Sequence, residues 1–359
     1  DQGEIYIFLG KEDGFVAKAD QRRYGVTVDG KGKITELQNA RIGWSLAAGD
    51  MDGDGNCDLA IGSLHFPWKA ANDGAVLVFK GVAADKSSVG GLAKLPSIII
   101  SGEHATDADV QFGRAISAGD LDGDGKAELV VGMPYLDTKP GKTKLVSAGA
   151  YFAYDLDKLP AAATKPTPYS AAKWSVLGDG SYDYFGRNVY VDDLDGDGLA
   201  EIFASAPADE ISGKPSGTGV LAVYKGKKGA FPATKPALAL PGLKGGDWYG
   251  IAGAPIGDVD KDGSPDLLVY ASHEDTVGYN HGRPYFVSSA KPFAPVPLEY
   301  ETTPAGSRIG WSIAQVGDVT GDGIADIVTG APYSEGAEKI AGNWVVSGTS
   351  TGSAWVLAG

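Results

Sequence analysis

The chain has 359 residues, a formal net charge of −15 at pH 7, 53 glycines and one cysteine. This negative charge argues against a nucleic-acid partner, because nucleic acids are bound largely through Lys and Arg. The single Cys57 excludes an internal disulfide, and no apolar run approaches the roughly 18–20 residues of a membrane span. The chain is longer than the about 250–300 residues that one core supports, which favours repeated units.

Residues 1–40 contain four short segments with strand-like composition, at 5–8, 15–17, 24–28 and 34–37. They lack the acidic pattern that marks the rest of the chain. We interpret residues 1–40 as a degenerate copy of the unit that follows.

Beyond residue 40 a nine-residue acidic pattern occurs five times. In the second copy, alternation in a tight turn points Asp120, Asp122 and Asp124 at one place. Gly125 permits the reversal that brings Glu128 to the same place. Converging carboxylates need a cation between them, and oxygen ligands alone favour Ca²⁺ over Zn²⁺. We number the copies acidic loops one to five, at residues 50–58, 120–128, 193–201, 258–266 and 318–326.

These loops predict up to five Ca²⁺ ions, held at positions one, three, five, seven and nine. The predicted metal-site residues are Asp50, Asp52, Asp54, Asn56 and Asp58; Asp120, Asp122, Asp124, Lys126 and Glu128; Asp193, Asp195, Asp197, Leu199 and Glu201; Asp258, Asp260, Asp262, Ser264 and Asp266; Asp318, Thr320, Asp322, Ile324 and Asp326. Loop five should bind most weakly, because Thr320 replaces a carboxylate. Five calcium ions would offset most of the net charge, so the acidity needs no basic partner to explain it.

Each acidic loop sits inside the same succession of elements. A hydrophobic–glycine pair opens the unit, and short strands flank the loop. A third strand is predicted at 74–79, 149–154, 219–224, 282–287 and 342–346, and a fourth at 97–100, 174–177, 237–240, 297–300 and 354–357. Four strands per unit, with a period of about 60–73 residues, are typical of β-propeller blades.

The hydrophobic–glycine opening, the D-x-D-x-D-G-x-x-[DE] loop, the Gly-Ala-Pro-like turn and the glycine-led third strand resemble FG-GAP repeats. These repeats form the propeller of integrin α-subunits and occur in many bacterial secreted proteins. The resemblance covers residues 41–359. The sequence departs from it at Ile42 and Ile309, which replace Phe, and at 270–272, where the Gly-Ala-Pro turn is lost. No von Willebrand-type insert is visible.

The resemblance implies an all-β propeller of four-stranded antiparallel blades with calcium in its loops. We predict one domain over residues 1–359, with six blades, or seven as the alternative. The predicted blades are the degenerate one at 1–40 and the FG-GAP blades at 41–101, 112–177, 185–240, 249–300 and 309–358.

In an up-and-down blade the acidic loops share one face, and all four histidines fall on the opposite face: His65, His104, His273 and His281. We predict the ligand site on that opposite face, since function commonly lies on loops carried by a rigid scaffold. The alternative is four solvated loop histidines. Trp44 and Trp311 are expected to pack between blades rather than to stack on sugars, and Cys57 to be a buried, unreactive side chain.

No Gly-x-Ser-x-Gly, P-loop or His-Glu-x-x-His motif is present. The favoured function is therefore an extracellular, cell-surface or periplasmic module that calcium stabilises and that binds a protein or glycan without catalysis. A monomer is compatible with the sequence. The alternatives are a lectin, or a secreted carbohydrate-active enzyme that uses acids such as Asp107 with Asp109 or Asp179 with Asp183.

Overall fold

The computed structural model of the protein describes residues 3–8, 19–24, 26–28, 34–36, 39–66, 73–83, 91–103, 109–139, 143–160, 165–209, 217–273, 282–288, 295–298, 308–321, 326–332, 346–347 and 353–357. In these ranges the chain is all-β, apart from two single-turn 3-10 helices at Leu156–Lys158 and Tyr169–Ala171. No helix in the described part is long and apolar enough to cross a membrane. The chain divides into two compact units.

The first unit comprises Asp1–Asp179 and Lys227–Thr234. Its strands are β1 Glu4–Ile7, β2 Gln21–Tyr24, β3 Val26–Val28, β4 Ile34–Glu36, β5 Ile42–Gly49, β6 Asp58–Ser63, β7 Ala75–Phe79, β8 Gly81–Val82, β9 Gly91–Leu92, β10 Ile98–Ser101, β11 Ile116–Gly119, β12 Glu128–Met133, β13 Ala150–Tyr154, β14 Thr167–Pro168 and β15 Trp174–Leu177. One large sheet has the order β5-β6-β7-β10, to which β14 adds a parallel edge, and the next has the order β11-β12-β13-β15.

The second unit comprises Gly180–Gly226 and Lys235–Gly359. Its strands are β16 Val189–Asp192, β17 Glu201–Ala206, β18 Val220–Tyr224, β19 Leu238–Pro241, β20 Tyr249–Gly257, β21 Asp266–Ala271, β22 Arg283–Val287, β23 Val296–Pro297, β24 Ser312–Gly317, β25 Asp326–Ala331, β26 Val346–Ser347 and β27 Ser353–Leu357. They form three four-stranded antiparallel sheets, in the orders β16-β17-β18-β19, β20-β21-β22-β23 and β24-β25-β27-β26.

The inner strands of the second and third large sheets are buried on both faces. Every residue of β12, β13, β17 and β18 is buried, and these strands are runs of Val, Leu, Ala and aromatic residues rather than alternating patterns. Such runs need apolar partners on both sides of the sheet. In the first unit, one core cluster joins side chains of the two large sheets, among them Val76 and Ile98 with Met133 and Phe152. The sheets of the first unit therefore stack face to face, as blades do.

A close contact between backbones recurs where one sheet meets the opening of the next repeat. Gly74 lies before β7, at φ +76°, and a Cβ there would stand 2.3 Å from the backbone oxygen of Phe112. The same relation joins Gly219 to Tyr249 and Gly282 to Ile309. Glycine is therefore required before these three third strands by the approach to the next hydrophobic–glycine pair.

The four sheets that contain acidic loops one to four have the predicted strand order. The fifth differs: Ser353–Leu357 pairs with β25 over five residues, and Val346–Ser347 lies at the sheet edge. The prediction that 342–346 is the third strand and 354–357 the fourth is therefore wrong in order. Within the described residues, Ser353–Leu357 forms a five-residue ladder with β25 and so takes the inner position.

The described part of residues 1–40 forms two separate two-stranded sheets, β1-β2 and β3-β4, rather than one four-stranded sheet. The predicted strand at 15–17 lies outside the described residues. Even so, the backbone of Gly3 approaches Ile42 as that of Gly74 approaches Phe112. A Cβ at Gly3 would stand 2.2 Å from the backbone oxygen of Ile42. The segment led by Gly3 thus takes the place of a third strand beside the first repeat, as the sequence predicts for 5–8.

We predict that Gly74→Ala destabilises the protein by roughly 3 kcal/mol or more. A non-glycine residue in the left-handed region costs about 1–2 kcal/mol, and the clash with the Phe112 backbone adds an overpacking cost of about 1–3 kcal/mol. Denaturant midpoints would measure the loss. Gly229→Ala is the matched control, because Gly229 has φ +72° and open space around its Cβ position. Equal losses in the two variants would contradict the close-approach argument.

Candidate metal centres

Each acidic loop joins the first strand of its sheet to the second. The carboxylate at position one accepts a hydrogen bond from the amide of position six at 2.9 Å in loops one to four. Position six is glycine in these loops, with φ between +84° and +99°. This positive φ is the conformation that lets the chain reverse around the first aspartate.

The carboxylate at position nine closes the loop by accepting the amide of position two. This bond is present in all five loops, at 3.1, 2.7, 3.2, 2.9 and 2.7 Å in loops one to five. The acids at position nine are almost fully buried, at the start of the second strand: Asp58, Glu128, Glu201, Asp266 and Asp326. Their contact with the second residue holds both ends of the turn together.

Four loops bring three carboxylates to one point, with one oxygen of each within 4.8 Å of the others. Loops one and two combine positions one, three and nine, whereas loops three and four combine positions one, three and five. The clusters are Asp50, Asp52 and Asp58; Asp120, Asp122 and Glu128; Asp193, Asp195 and Asp197; Asp258, Asp260 and Asp262. In loop five, the predicted residues Asp322 and Ile324 lie outside the described part of the chain.

The surroundings of these acids fit a cation. In loop three, Asp195 Oδ1 and Glu201 Oε1 are both buried and have no hydrogen-bond partner in the structure. Burying a carboxylate oxygen without a partner is costly, and a cation between these oxygens would remove the cost. An all-oxygen ligand set without His or Cys suits Ca²⁺. The residues present therefore fit the predicted ion.

The electrostatics agree with this geometry. The pKa of Glu128 is raised to about 8, chiefly by burial and also by the nearby charges of Asp122 and Asp120, while the hydrogen bond from the Leu121 amide lowers it. Burial likewise raises the pKa of Glu201 to about 7, with Asp195 adding to the effect. Without a cation these acids are thus driven to hold a proton, because ionised neighbours and low polarity both oppose their charge.

Position seven does not join the carboxylate clusters. Its amide donates to the carboxylate of position five in loops one to four. The side chain of Lys126 forms an ion pair with Asp157, and Leu199 has no ligand atom in its side chain. A ligand from position seven would therefore be the backbone carbonyl, as in other calcium loops.

The sequence analysis missed a set of residues that contact position three. Lys80 pairs with Asp52, Lys225 pairs with Asp195, and Ser288 donates to Asp260 at 2.7 Å. Each of these residues directly follows the third strand of its sheet. The available signal was the recurrence of a polar residue at this place in the repeat, but only strand register shows what it faces.

The opposite ends of the second strands carry the predicted ligand face. In the second unit, Trp248 stacks near Tyr184, with ring centroids 6.3 Å apart, and near His273, at 4.9 Å. Tyr182, Tyr184 and Trp248 all have positive φ, which is uncommon for residues of this size. In the first unit, His65 lies just after β6. His104, His281 and Asp107 lie outside the described residues.

Trp44 is 51% exposed and Trp311 is 44% exposed, so both side chains are only partly buried, and Trp44 meets the next repeat through Arg114. An arginine guanidinium stands over each ring, 5.1 Å from the Trp44 centroid and 5.9 Å from the Trp311 centroid. The register of β5 shifts between residues 42 and 46, and Trp44 is exposed within this irregularity. Cys57 is exposed, contrary to the prediction, because it lies in the turn before β6 rather than in the strand.

Comparison with known families agrees with this architecture. The FG-GAP repeat family matches residues 42–79, 112–150 and 310–357, and the FG-GAP-like repeat family matches residues 193–269. The chain therefore belongs to the FG-GAP repeat proteins, and its blade-like sheets are of the integrin α propeller type.

Two integrins illustrate the similarity. Integrin alpha-IIb of Mus musculus is 27% identical over 223 residues, which is 61% of this chain and 21% of the integrin. Integrin alpha-PS5 of Drosophila melanogaster is 27% identical over 290 residues, which is 79% of this chain and 26% of the integrin. Among solved structures, a rhamnogalacturonan lyase PL11 of Bacillus licheniformis covers 84% of this chain and 59% of that chain, with 15% identity and a TM-score of 0.37. A likeness at that level carries no argument about activity.

We predict that the calcium-free protein loses stability as pH rises from about 5 to 8. Because the folded-state pKa of Glu128 is raised to about 8, the folded protein holds a proton that the unfolded chain releases above its ordinary pKa of about 4.3. Melting temperatures in a chelator across this pH range would show the decline. Glu128→Gln should flatten it, since the amide keeps the Leu121 contact without titrating. An unchanged slope in this variant would contradict the assignment.

Loop five offers a second prediction. The Thr320 hydroxyl donates to Asp326 at 3.3 Å, where the other loops have an aspartate at position three. We expect Thr320→Asp to tighten calcium binding at this loop by about tenfold, because it adds a negative charge beside a divalent ion. Thr320→Asn, which adds an oxygen without charge, is the control. Calorimetric titration that finds equal affinity in both variants would contradict a charge effect.

Proposed function

We propose that this chain is an extracellular binding module whose repeats are stabilised by calcium and whose ligand is a protein or a glycan. The observation that supports this function is the repetition of one closed, acid-lined loop in every repeat of a stacked-sheet scaffold. Four loops bring three carboxylates together, and the surroundings in loop three leave two buried oxygens for a cation to satisfy. Repetition at this scale suits a structural role for the ion rather than a single reactive centre.

The calcium ions in this proposal act on stability. When bound, each ion supplies positive charge among the acids of one loop, so that the repulsion between them no longer opposes closure of the turn. The position-nine acid belongs to the second strand, and positions one to five belong to the turn before it. The ion therefore fastens the first strand of each sheet to the second.

The proposed location follows from calcium chemistry. Calcium sites of extracellular modules commonly bind in the 10⁻⁴–10⁻³ M range, where extracellular calcium keeps them filled. The integrin relatives support an adhesion-type role for the module, although the match spans only about a fifth to a quarter of the length of each. The activity and partners of the full-length relatives do not transfer with it.

The ligand surface in this proposal lies at the strand ends away from the acidic loops. In the second unit this region carries Tyr182, Tyr184, Trp248 and His273 on loops that leave the buried strands. The positive φ of Tyr184 and Trp248 recurs at the residue before the opening pair of the other repeats, at Arg41, Gln111 and Arg308, so the turn of the repeat holds these aromatic side chains in place. Aromatic side chains held rigidly on loops suit both protein and glycan ligands, since they give contact area at low entropic cost.

We predict that calcium raises the melting temperature of the protein. A site with a dissociation constant of 0.1–1 mM contributes about 1–2 kcal/mol at 5 mM calcium, so several sites together should shift the midpoint by several degrees. Asp122→Asn should remove the part of this calcium-dependent stabilisation that loop two contributes. An unchanged midpoint in excess chelator would contradict the structural role of calcium.

The ligand class is tested separately, with arrays of glycans and extracellular proteins probed in calcium. Trp248→Ala should abolish the signal, and Trp311→Ala, which changes an exposed tryptophan of the same unit outside this cluster, is the matched control. Loss in Trp311→Ala alone would place the ligand elsewhere. Turnover of a glycan by the wild-type protein would replace the binding module with a carbohydrate-active enzyme.

A further inference from the structure

One backbone position stands beside the acidic loop in every sheet that is fully described. It directly follows the third strand. The last residue of the third strand that pairs with the second strand is Phe79, Tyr154, Tyr224 and Val287 in the sheets of loops one to four. Continuing each register by one residue places this position opposite the position-nine acid of the loop. We call it the flanking position, and its occupants are Lys80, Asp155, Lys225 and Ser288 for loops one to four.

The flanking residue contacts the position-three carboxylate in three of the four sheets. The ammonium group of Lys80 pairs with Asp52 Oδ2, and that of Lys225 pairs with Asp195 Oδ2. In loop four the neutral hydroxyl of Ser288 donates to the same oxygen of Asp260 at 2.7 Å. The same oxygen of one predicted ligand is thus engaged by a cation in two loops and by a hydroxyl in a third.

Loop two has the opposite charge at the flanking position. Asp155 is a carboxylate, and its Oδ2 lies 3.7 Å from the ammonium group of Lys158. The side chain of Asp122 accepts a single hydrogen bond, from the Asp124 amide at 3.1 Å. The ammonium group of Lys126 pairs with Asp157 and also lies 3.9 Å from Asp124 Oδ2, at position five of the loop. Among the described residues, no lysine is paired with the position-three carboxylate of loop two.

We infer that the charge of the flanking residue sets the calcium affinity of each loop, and that Lys80 and Lys225 act as resident cations in loops one and three. This inference rests on the proposed calcium binding. An ammonium group and a calcium ion compete for one carboxylate oxygen, and the remaining positive charge repels the ion. Even at the dielectric constant of water, a unit charge about 6 Å from a divalent ion changes its affinity by about tenfold.

The resulting order places loop four above loops one and three. Loop two lacks a flanking lysine but carries the Lys126 ammonium group beside Asp124, so the flanking position alone does not rank it. The lysines do not block loops one and three permanently. The side chains of Lys80 and Lys225 are 46% and 50% exposed, and exposed ion pairs are weak and exchange readily. Each flanking lysine therefore neutralises its loop while calcium is scarce and moves aside when calcium is abundant. Loops one and three keep their closed form without metal, whereas loop four depends on it.

The test is calcium titration of the full chain by calorimetry, with melting curves in excess chelator as an independent readout. The double variant Lys80→Met and Lys225→Met keeps the length of both side chains and removes their charge. We expect two equivalents of calcium to bind about tenfold more tightly than in wild type, and the metal-free melting temperature to fall. Lys94→Met is the matched control: Lys94 is exposed in the first unit, and no ion pair joins it to a carboxylate of the described part of the chain. It should change neither readout.

The converse variant introduces the lysine where it is absent. Ser288→Lys should weaken one equivalent by about tenfold, whereas Ser288→Ala, which removes the hydroxyl without adding charge, should leave the affinity within about twofold of wild type. Unchanged calcium binding in both the double methionine variant and Ser288→Lys would overturn the inference while leaving the proposed function intact. A wild-type protein that binds no calcium up to about 10 mM, well above the range of such modules, would overturn the proposed function and the ranking together.

Discussion

The hydrogen bond from the position-two amide to the position-nine carboxylate is the contact on which each repeat depends. It is present in all five loops. It ties the end of the turn to its beginning, and so it commits the first two strands to one hairpin. The same bond draws a buried acid into a turn that already holds several aspartates. Closing the hairpin therefore creates a concentration of negative charge that a cation must offset, and this links the fold to its metal.

The same closed hairpin loop is repeated along the chain. The inner strands β12 and β17 are buried along their whole length and are largely apolar after the acid that begins each of them. The glycine before the third strand lets the backbone reach the opening pair of the next repeat at Gly74, Gly219 and Gly282, as Gly74 reaches Phe112. The hydrophobic residue of that pair then enters the core: Phe112 lies 6.2 Å from the ring of Phe152 and is fully buried. The same residues thus join strands within a sheet and sheets within a unit.

The arrangement separates stability from recognition. Acidic loops occupy one end of the second strands, where buried carboxylates and surface lysines balance each other. The other ends carry aromatic side chains on loops, as at Tyr184 and Trp248. If calcium binds as proposed, a change in calcium acts first on the hairpin turns and reaches the proposed ligand surface only through the strands between them. In the inference above, the charge at the flanking position lets individual repeats differ in this dependence without a change of fold.

The sequence by itself determined the repeat, the hairpin loops, four of the five strand orders and the acids of the predicted metal sites. These features are local, because a ligand spacing, a glycine in a tight turn and an apolar run can each be recognised from a few consecutive residues. Tertiary structure decided the rest. The inner place of Ser353–Leu357 and the separate small sheets of the first forty residues depend on which segments pair, and the exposure of Trp44 depends on the register shift of β5. The pairing of Lys80 with Asp52 depends on the register of two strands. Residues 28 positions apart become neighbours only when those strands pair, and no spacing along the chain reports that contact.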